Sequence, residues 1–185
     1  MKRPDLGKLL TTLVVLAYPL LIWFAHGKIE PRWLALLLLA LTLLRLSTLK
    51  LQPRYRWMSL AALSLAAVAL LWNALLPLKL YPVVISLGML AVFAHSLSHP
   101  PTIIERLARL QNPQLPAFAV AYTRRVTQVW CGFFALNGGI AFATAVWATP
   151  AIWSLYTGVI SYVAMGVLFA GEYLVRLYVR RQHHA

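Results

Sequence analysis

FAVAYTRRVTQVWCGFFALNGGIAFATAVWATPAIWSLYTGVISYVAMGVLFAGEYLVRLYVRR, residues 118–181, holds two long apolar runs that meet at Thr149-Pro150. Arg124 and Arg125 stand near the far end of the first run, and Arg176, Arg180 and Arg181 near the far end of the second. The junction between the runs carries no charge. Each run can cross a hydrocarbon core of about 30 Å as a helix. The stretch therefore reads as a transmembrane hairpin whose basic ends lie on one side of a bilayer.

The same alternation extends back to the N-terminus. Basic clusters occur at Lys2, Arg3 and Lys8, at Arg45, Lys50, Arg54 and Arg56, at Arg106, Arg109, Arg124 and Arg125, and at Arg176, Arg180 and Arg181, together 14 of the 17 Lys and Arg residues. The intervening connectors hold Lys28, Arg32 and Lys79. Six spans with both termini in the cytosol satisfy the positive-inside rule at every loop. The reading is a single all-α transmembrane domain, residues 1–185, with spans at about 9–25, 32–49, 57–76, 81–96, 118–147 and 151–178.

Composition agrees: 61% of residues are hydrophobic and 11% are charged, well under the roughly 25% charge of soluble domains. A net charge of +13 could suit nucleic acid, but its sorting into alternate loops fits anionic lipid headgroups better. No nucleic-acid partner is expected. The single cysteine, Cys131, excludes an intramolecular disulfide framework and reads as a small buried apolar residue. The first apolar run follows a basic N-terminus but lacks a small-residue cleavage site, so a retained signal-anchor helix is expected. These features point to a multi-pass membrane protein.

Tryptophan supplies an independent marker, because its amphipathic ring favours the membrane boundary. Trp23, Trp33, Trp72, Trp147 and Trp153 fall at ends assigned to the outer face, Trp57 marks an inner end, and Trp130 lies within a span. The outer connectors, Pro77 to Leu80 and a few residues around Pro150, are too short for a domain. The long inner connector, SLSHPPTIIERLARLQNPQLPAF, places Ile103, Ile104, Leu107 and Leu110 on one helical face, with Glu105, Arg106 and Arg109 away from it. That pattern predicts an amphipathic interfacial helix at about 102–110. A helix that merely packs across the end of a bundle would show the same pattern.

The stretch from His99 to Arg180 resembles the carboxyl half of the intracellular septation protein A family of bacterial inner-membrane proteins. The resemblance lies in Pro101, the turn Ile104 to Leu107, Leu115-Pro116, the WCGFFALNGGIA helix at 130–141, and Trp153. It implies a location in the bacterial inner membrane. The whole chain resembles small membrane proteins encoded with aryl-polyene and xanthomonadin-type pigment biosynthesis genes of Gram-negative bacteria. That resemblance implies a role beside a lipid-like product and an acyl carrier protein as a partner. It brings no assigned catalytic residue. The Arg124-Arg125 pair and most of the first half depart from the septation family.

Acids are scarce: Asp5, Glu30, Glu105 and Glu172. No two are placed by sequence for acid-base or two-metal chemistry, and no phosphate loop, nucleophile elbow or zinc motif occurs. No catalytic residue and no cofactor are expected. His95 and His99, at i and i+4, share a helix face and could hold a metal given a third ligand, but Pro100 and Pro101 follow at once. Interfacial hydrogen bonding is the plainer role for them.

Two constellations remain. Gln128, Asn137, Gly138 and Gly139 could line a polar groove, or could form an interhelical bond beside a tight crossing. Arg106, Arg109, Arg124 and Arg125 could bind an anionic headgroup or an acidic carrier protein by forked hydrogen bonds, or could serve topology alone. Glu172 and Arg176 are spaced for an ion pair. The expected function is non-catalytic: assembly, tethering or handling of a lipid-like, aryl-polyene-type product at the cytosolic leaflet. The alternatives are a membrane-embedded acyl or glycosyl transferase using His95, His99 and Glu105, and a small lipid transporter.

Overall fold

A computed structural model describes residues 29–48 and 56–184, together with Phe24. Apart from Phe24, the expected first span at 9–25 lies outside the described residues, as do the connector 49–55 and the side chain of Arg45. Every regular element among the described residues is helical: α1 (Pro31–Thr48), α2 (Arg56–Trp72), α3 (Leu76–Lys79), α4 (Tyr81–Ser98), α5 (Ile103–Gln111), α6 (Ala117–Trp147), α7 (Pro150–Leu155) and α8 (Ser161–His184). A π-helical turn, Tyr156–Ile160, joins α7 to α8.

Three of the described stretches are long and apolar enough to cross a membrane: Leu76–Ser98, Ala117–Trp147 and Pro150–Leu177. This is the architecture of an α-helical membrane protein, in which the helix satisfies backbone polar groups that lipid cannot. At 31 residues, α6 is about 46 Å long. Arg124 and Arg125, near its start, have room to lie beyond the apolar slab.

Local chemistry sets the helix limits. Asn73 takes a left-handed conformation, φ 47°, which ends α2 at Trp72 instead of at the expected position 76. Its Oδ1 accepts the Arg32 backbone N–H at 3.1 Å, joining the end of α2 to the first turn of α1. The stretch expected as a connector, Pro77 to Leu80, is largely helical. Pro77 suits the first turn of α3, and Leu80 N donates to Leu76 O at 3.1 Å. Thr149 caps α7 by accepting from Ile152 N at 3.4 Å, with Pro150 in the first turn.

Trp153 is fully buried in a cluster with Leu34, Ala35, Leu38, Ala66, Ala69 and Leu78. Its sequence position suggested a boundary residue. Instead, its indole N–H donates to Lys79 O at 3.1 Å, while Lys79 Nζ reaches Ala148 O at 3.5 Å and stands 6.0 Å from the Trp153 ring centroid. Lys79 is thus a buried link between the α3–α4 and α6–α7 turns, not a loop charge. Trp33, Trp72 and Trp147 are well exposed.

The α4–α6 pair forms the spine of the bundle. At its crossing, a Cβ on Gly138 would lie 3.1 Å from Ser86 Cβ, whereas one on Gly139 would meet nothing within 4 Å. Gly138→Leu is therefore expected to force the helices apart and cost about 1–3 kcal/mol. Gly139→Ala is expected to be neutral or stabilising by up to about 1 kcal/mol, through helix propensity. Unfolding midpoints in detergent micelles check the pair.

Candidate functional site: a cleft with two polar poles

Two cavities line up along one face of α6. The larger, 540 Å³, is bounded by α5, α6 and α8, with Gln111, Asn112, Tyr122, Glu172 and Arg176 at its polar end. The smaller, 350 Å³, is bounded mainly by α4, α6 and α8, and its polar wall holds Ser86, Asn137, Thr157 and Ser161. Ile104, Leu107, Trp130 and Phe169 line both. The cavities are two chambers of one cleft with an apolar waist.

The helical repeat explains this wall. Tyr122, Val126, Trp130, Phe134 and Asn137 recur at three- and four-residue intervals on α6, as do Ser161, Met165, Phe169, Glu172 and Arg176 on α8, so each set forms one stripe. Beyond the π turn, the backbones of α6 and α8 approach only sparsely. Side chains bridge the gap instead. Tyr122 Oη lies 3.1 Å from Glu172 O and 3.3 Å from Glu172 Oε1, and Trp130 packs on Phe169 with ring centroids 4.6 Å apart. Trp130, 4% exposed, also touches Phe93, Phe133 and Phe134.

The expected Glu172–Arg176 ion pair is not made among the described residues. Tyr122 occupies Glu172, which leaves Arg176 on the cleft wall. None of the four arginines read as a binding rim lines either chamber. Arg124 Nη1 donates to Leu97 O at 3.0 Å, covering a carbonyl at the end of α4. Arg106 Nε donates to Pro101 O at 2.8 Å. Arg109 grips Glu105 Oε1 through Nε and Nη2 at 2.9 and 2.7 Å, and Pro113 O through Nη1 at 3.0 Å. Arg125 is exposed and makes no hydrogen bond among the described residues.

Helix α5 sits differently from its sequence pattern. Glu105 is buried at 5% exposure, whereas Leu107 and Leu110 are 56% and 81% exposed. Thr102 caps the helix by accepting Glu105 N at 3.3 Å, and Arg109 neutralises the buried carboxylate. Ile104 and Leu107 face the cleft. His95 and His99 stack with centroids 4.1 Å apart, and His99 Nδ1 lies 3.2 Å from His95 O. Among the described residues, no group of three His, Cys, Asp or Glu could hold a metal.

Of the amide and glycine set, Asn137 lines the smaller chamber and Gly138 fills the helix crossing. Gln128 and Gly139 are exposed and lie outside both chambers. Sequence reasoning missed Tyr122, Phe169, Ser86 and Tyr156. For Phe169 the α8 stripe, with its polar ends and aromatic middle, was the signal available. Comparison with known protein families, characterised proteins and solved structures gives no match for this chain.

Trp130→Ala is expected to remove the waist and destabilise the protein by about 3–5 kcal/mol. Phe169→Ala, at a ring 56% exposed, is expected to cost less than about 2 kcal/mol. Denaturant titration of the micelle-embedded protein measures both.

Proposed function

We propose that this chain is a non-catalytic protein of the bacterial inner membrane, with six spans and cytosolic termini, that holds a lipid-like amphiphile in the cleft beside α6. The observation that carries this reading is the polarity gradient along the cleft: Arg176, Glu172, Gln111 and Asn112 at one end, then a waist of Trp130, Phe169, Ile104 and Leu107. A guanidinium suits a phosphate or carboxylate head through paired hydrogen bonds. The apolar waist suits its chain. By the positive-inside rule, the Arg176 end faces the cytosolic leaflet.

Arg106, Arg109, Arg124 and Arg125 then act as a basic collar. Their summed field draws anionic headgroups, or an acidic acyl carrier protein delivering a polyene-type product, while three of them keep their carbonyl partners. The transferase alternative needs His95, His99 and Glu105 to act together, yet Glu105 is held by Arg109. A small transporter would use the same cleft and add only movement of the ligand along it.

The topology is tested by cysteine labelling in a Cys131→Ala background. Thr149→Cys is expected to react with a membrane-impermeant maleimide on intact spheroplasts, and Gln114→Cys only after permeabilisation. The reverse pattern would overturn the orientation. Native mass spectrometry of gently extracted protein tests the ligand. The wild type is expected to retain an amphiphile that Arg176→Gln loses, whereas identical bulk lipid on both proteins would remove the cleft from consideration.

A further inference from the structure

Buried hydroxyls in this bundle follow a common pattern. Thr42, Ser96, Thr123, Thr127, Thr157 and Ser161 each donate to a backbone carbonyl three or four residues earlier in the chain. Such a bond satisfies the hydroxyl proton without any tertiary partner. Ser86 departs from the pattern, as does Thr102, whose hydroxyl caps α5 by accepting Glu105 N. Ser86 is as well buried, at 4% exposure, but its Oγ accepts from Asn137 Nδ2 at 3.1 Å. No group among the described residues accepts its own proton.

The neighbouring bond runs in the same direction. Tyr156 Oη, from the π turn, donates to Asn137 Oδ1 at 3.0 Å. Tyr156, Asn137 and Ser86 therefore make a directed chain from α8's lead-in, through α6, to α4. It ends in an unclaimed Ser86 proton, and Asn137 retains a second amide proton. Ser86 and Asn137 both face the 350 Å³ chamber, whose other walls include Ile85, Met89 and Phe134. Unpaired donors are costly in surroundings this apolar.

We infer that Ser86 and Asn137, with Asn137 oriented by Tyr156, form a deep polar subsite that receives a hydroxyl or carbonyl group carried on the apolar chain of the bound amphiphile. The inference rests on the amphiphile-holding function proposed above and specifies its ligand. Tyr122 and Asn137 lie on one stripe of α6, fifteen residues apart, which is about 22 Å along the helix. The ligand is thus a long chain with a charged head at the Arg176 end and a hydrogen-bonding group near its far end. A plain alkyl chain reaches the same place but leaves the donors unpaired, and a site built for a polar group discriminates against such an analogue.

The test compares palmitate with ω-hydroxypalmitate, each titrated by calorimetry into the full-length protein in nanodiscs. The hydroxy acid is expected to bind about fivefold more tightly to the wild type, the worth of one ordinary hydrogen bond. Ser86→Ala, which keeps the Cβ at the Gly138 contact, is expected to bring that ratio to about one. Asn137→Leu is a second variant with the same expectation, and Arg176→Gln is expected to weaken both ligands equally. If both acids bind the wild type equally and both depend on Arg176, the deep subsite is wrong and the amphiphile cleft stands. If neither acid binds, or Arg176→Gln changes nothing, the cleft reading fails and the subsite falls with it.

Discussion

With only hydrogen as its side chain, Gly138 lets α6 approach α4 until Ser86 sits against its backbone. Lipid tails are as apolar as leucine, so two helices in a membrane gain little from hiding apolar surface against each other. They associate through close packing and polar contacts. This crossing supplies both, because Asn137, next to Gly138, reaches Ser86 once the backbones are close. The same approach sets Phe93 against Phe134 at 5.2 Å between centroids and positions Trp130. The last helical stretch is then tied to this spine by Trp153 with Lys79 near one end and by Tyr122 with Glu172 toward the other. Between those ties, Tyr156 bonds to Asn137 and Phe169 packs on Trp130 while the backbones of α6 and α8 stay apart, and the cleft lies there.

The basic end of the bundle shows how one residue type meets two demands. A guanidinium offers five donors in a fixed fork, so it can cover a backbone carbonyl and still present charge outward. Arg124 does this at the end of α4, and Arg106 does it at Pro101. Arg109 is more fully engaged, because the carboxylate of Glu105 would otherwise be buried without a counter-charge. With the acid turned inward, α5 leaves Leu107 and Leu110 exposed. A buried carboxylate, Leu107 at the cleft and a bare Leu110 suit a helix whose outer surroundings are apolar.

Long apolar spans were readable from the sequence, since each averages its signal over about twenty residues and neither packing nor partner choice can erase it. Single-residue roles were not. Trp153 carries the boundary preference of any tryptophan, and its burial is set by partners distant in sequence: the Leu34, Leu38 and Leu78 cluster and the Lys79 carbonyl. Glu172 and Arg176 have correct spacing for a pair, but a hydroxyl fifty positions away, on Tyr122, takes the acid. Periodicity reports that α5 has two faces without saying which one turns inward. Asn137 could be singled out because an amide in a span needs a partner, whereas Ser86, small and common in helices, carried no comparable signal.

An open cleft between membrane helices is by itself weak grounds for recognition, because a lipid tail can fill an apolar gap at little cost. Polar groups on the wall change that reasoning. If Asn137 served only to join α4 to α6, its bond to Ser86 would suffice, and the serine proton could turn back on its own helix as those of Thr42, Ser96, Thr123, Thr127, Thr157 and Ser161 do. If Tyr156 served only packing, a phenylalanine in the π turn would fill the same space without a group to satisfy. Instead, the bonds run in one direction across three helical elements, and the two residues left with unspent protons, Asn137 and Ser86, line the cleft away from the charged Arg176 end. A hydrocarbon tail leaves that arrangement unsatisfied, so the wall favours occupants that are polar at both ends and apolar in the middle.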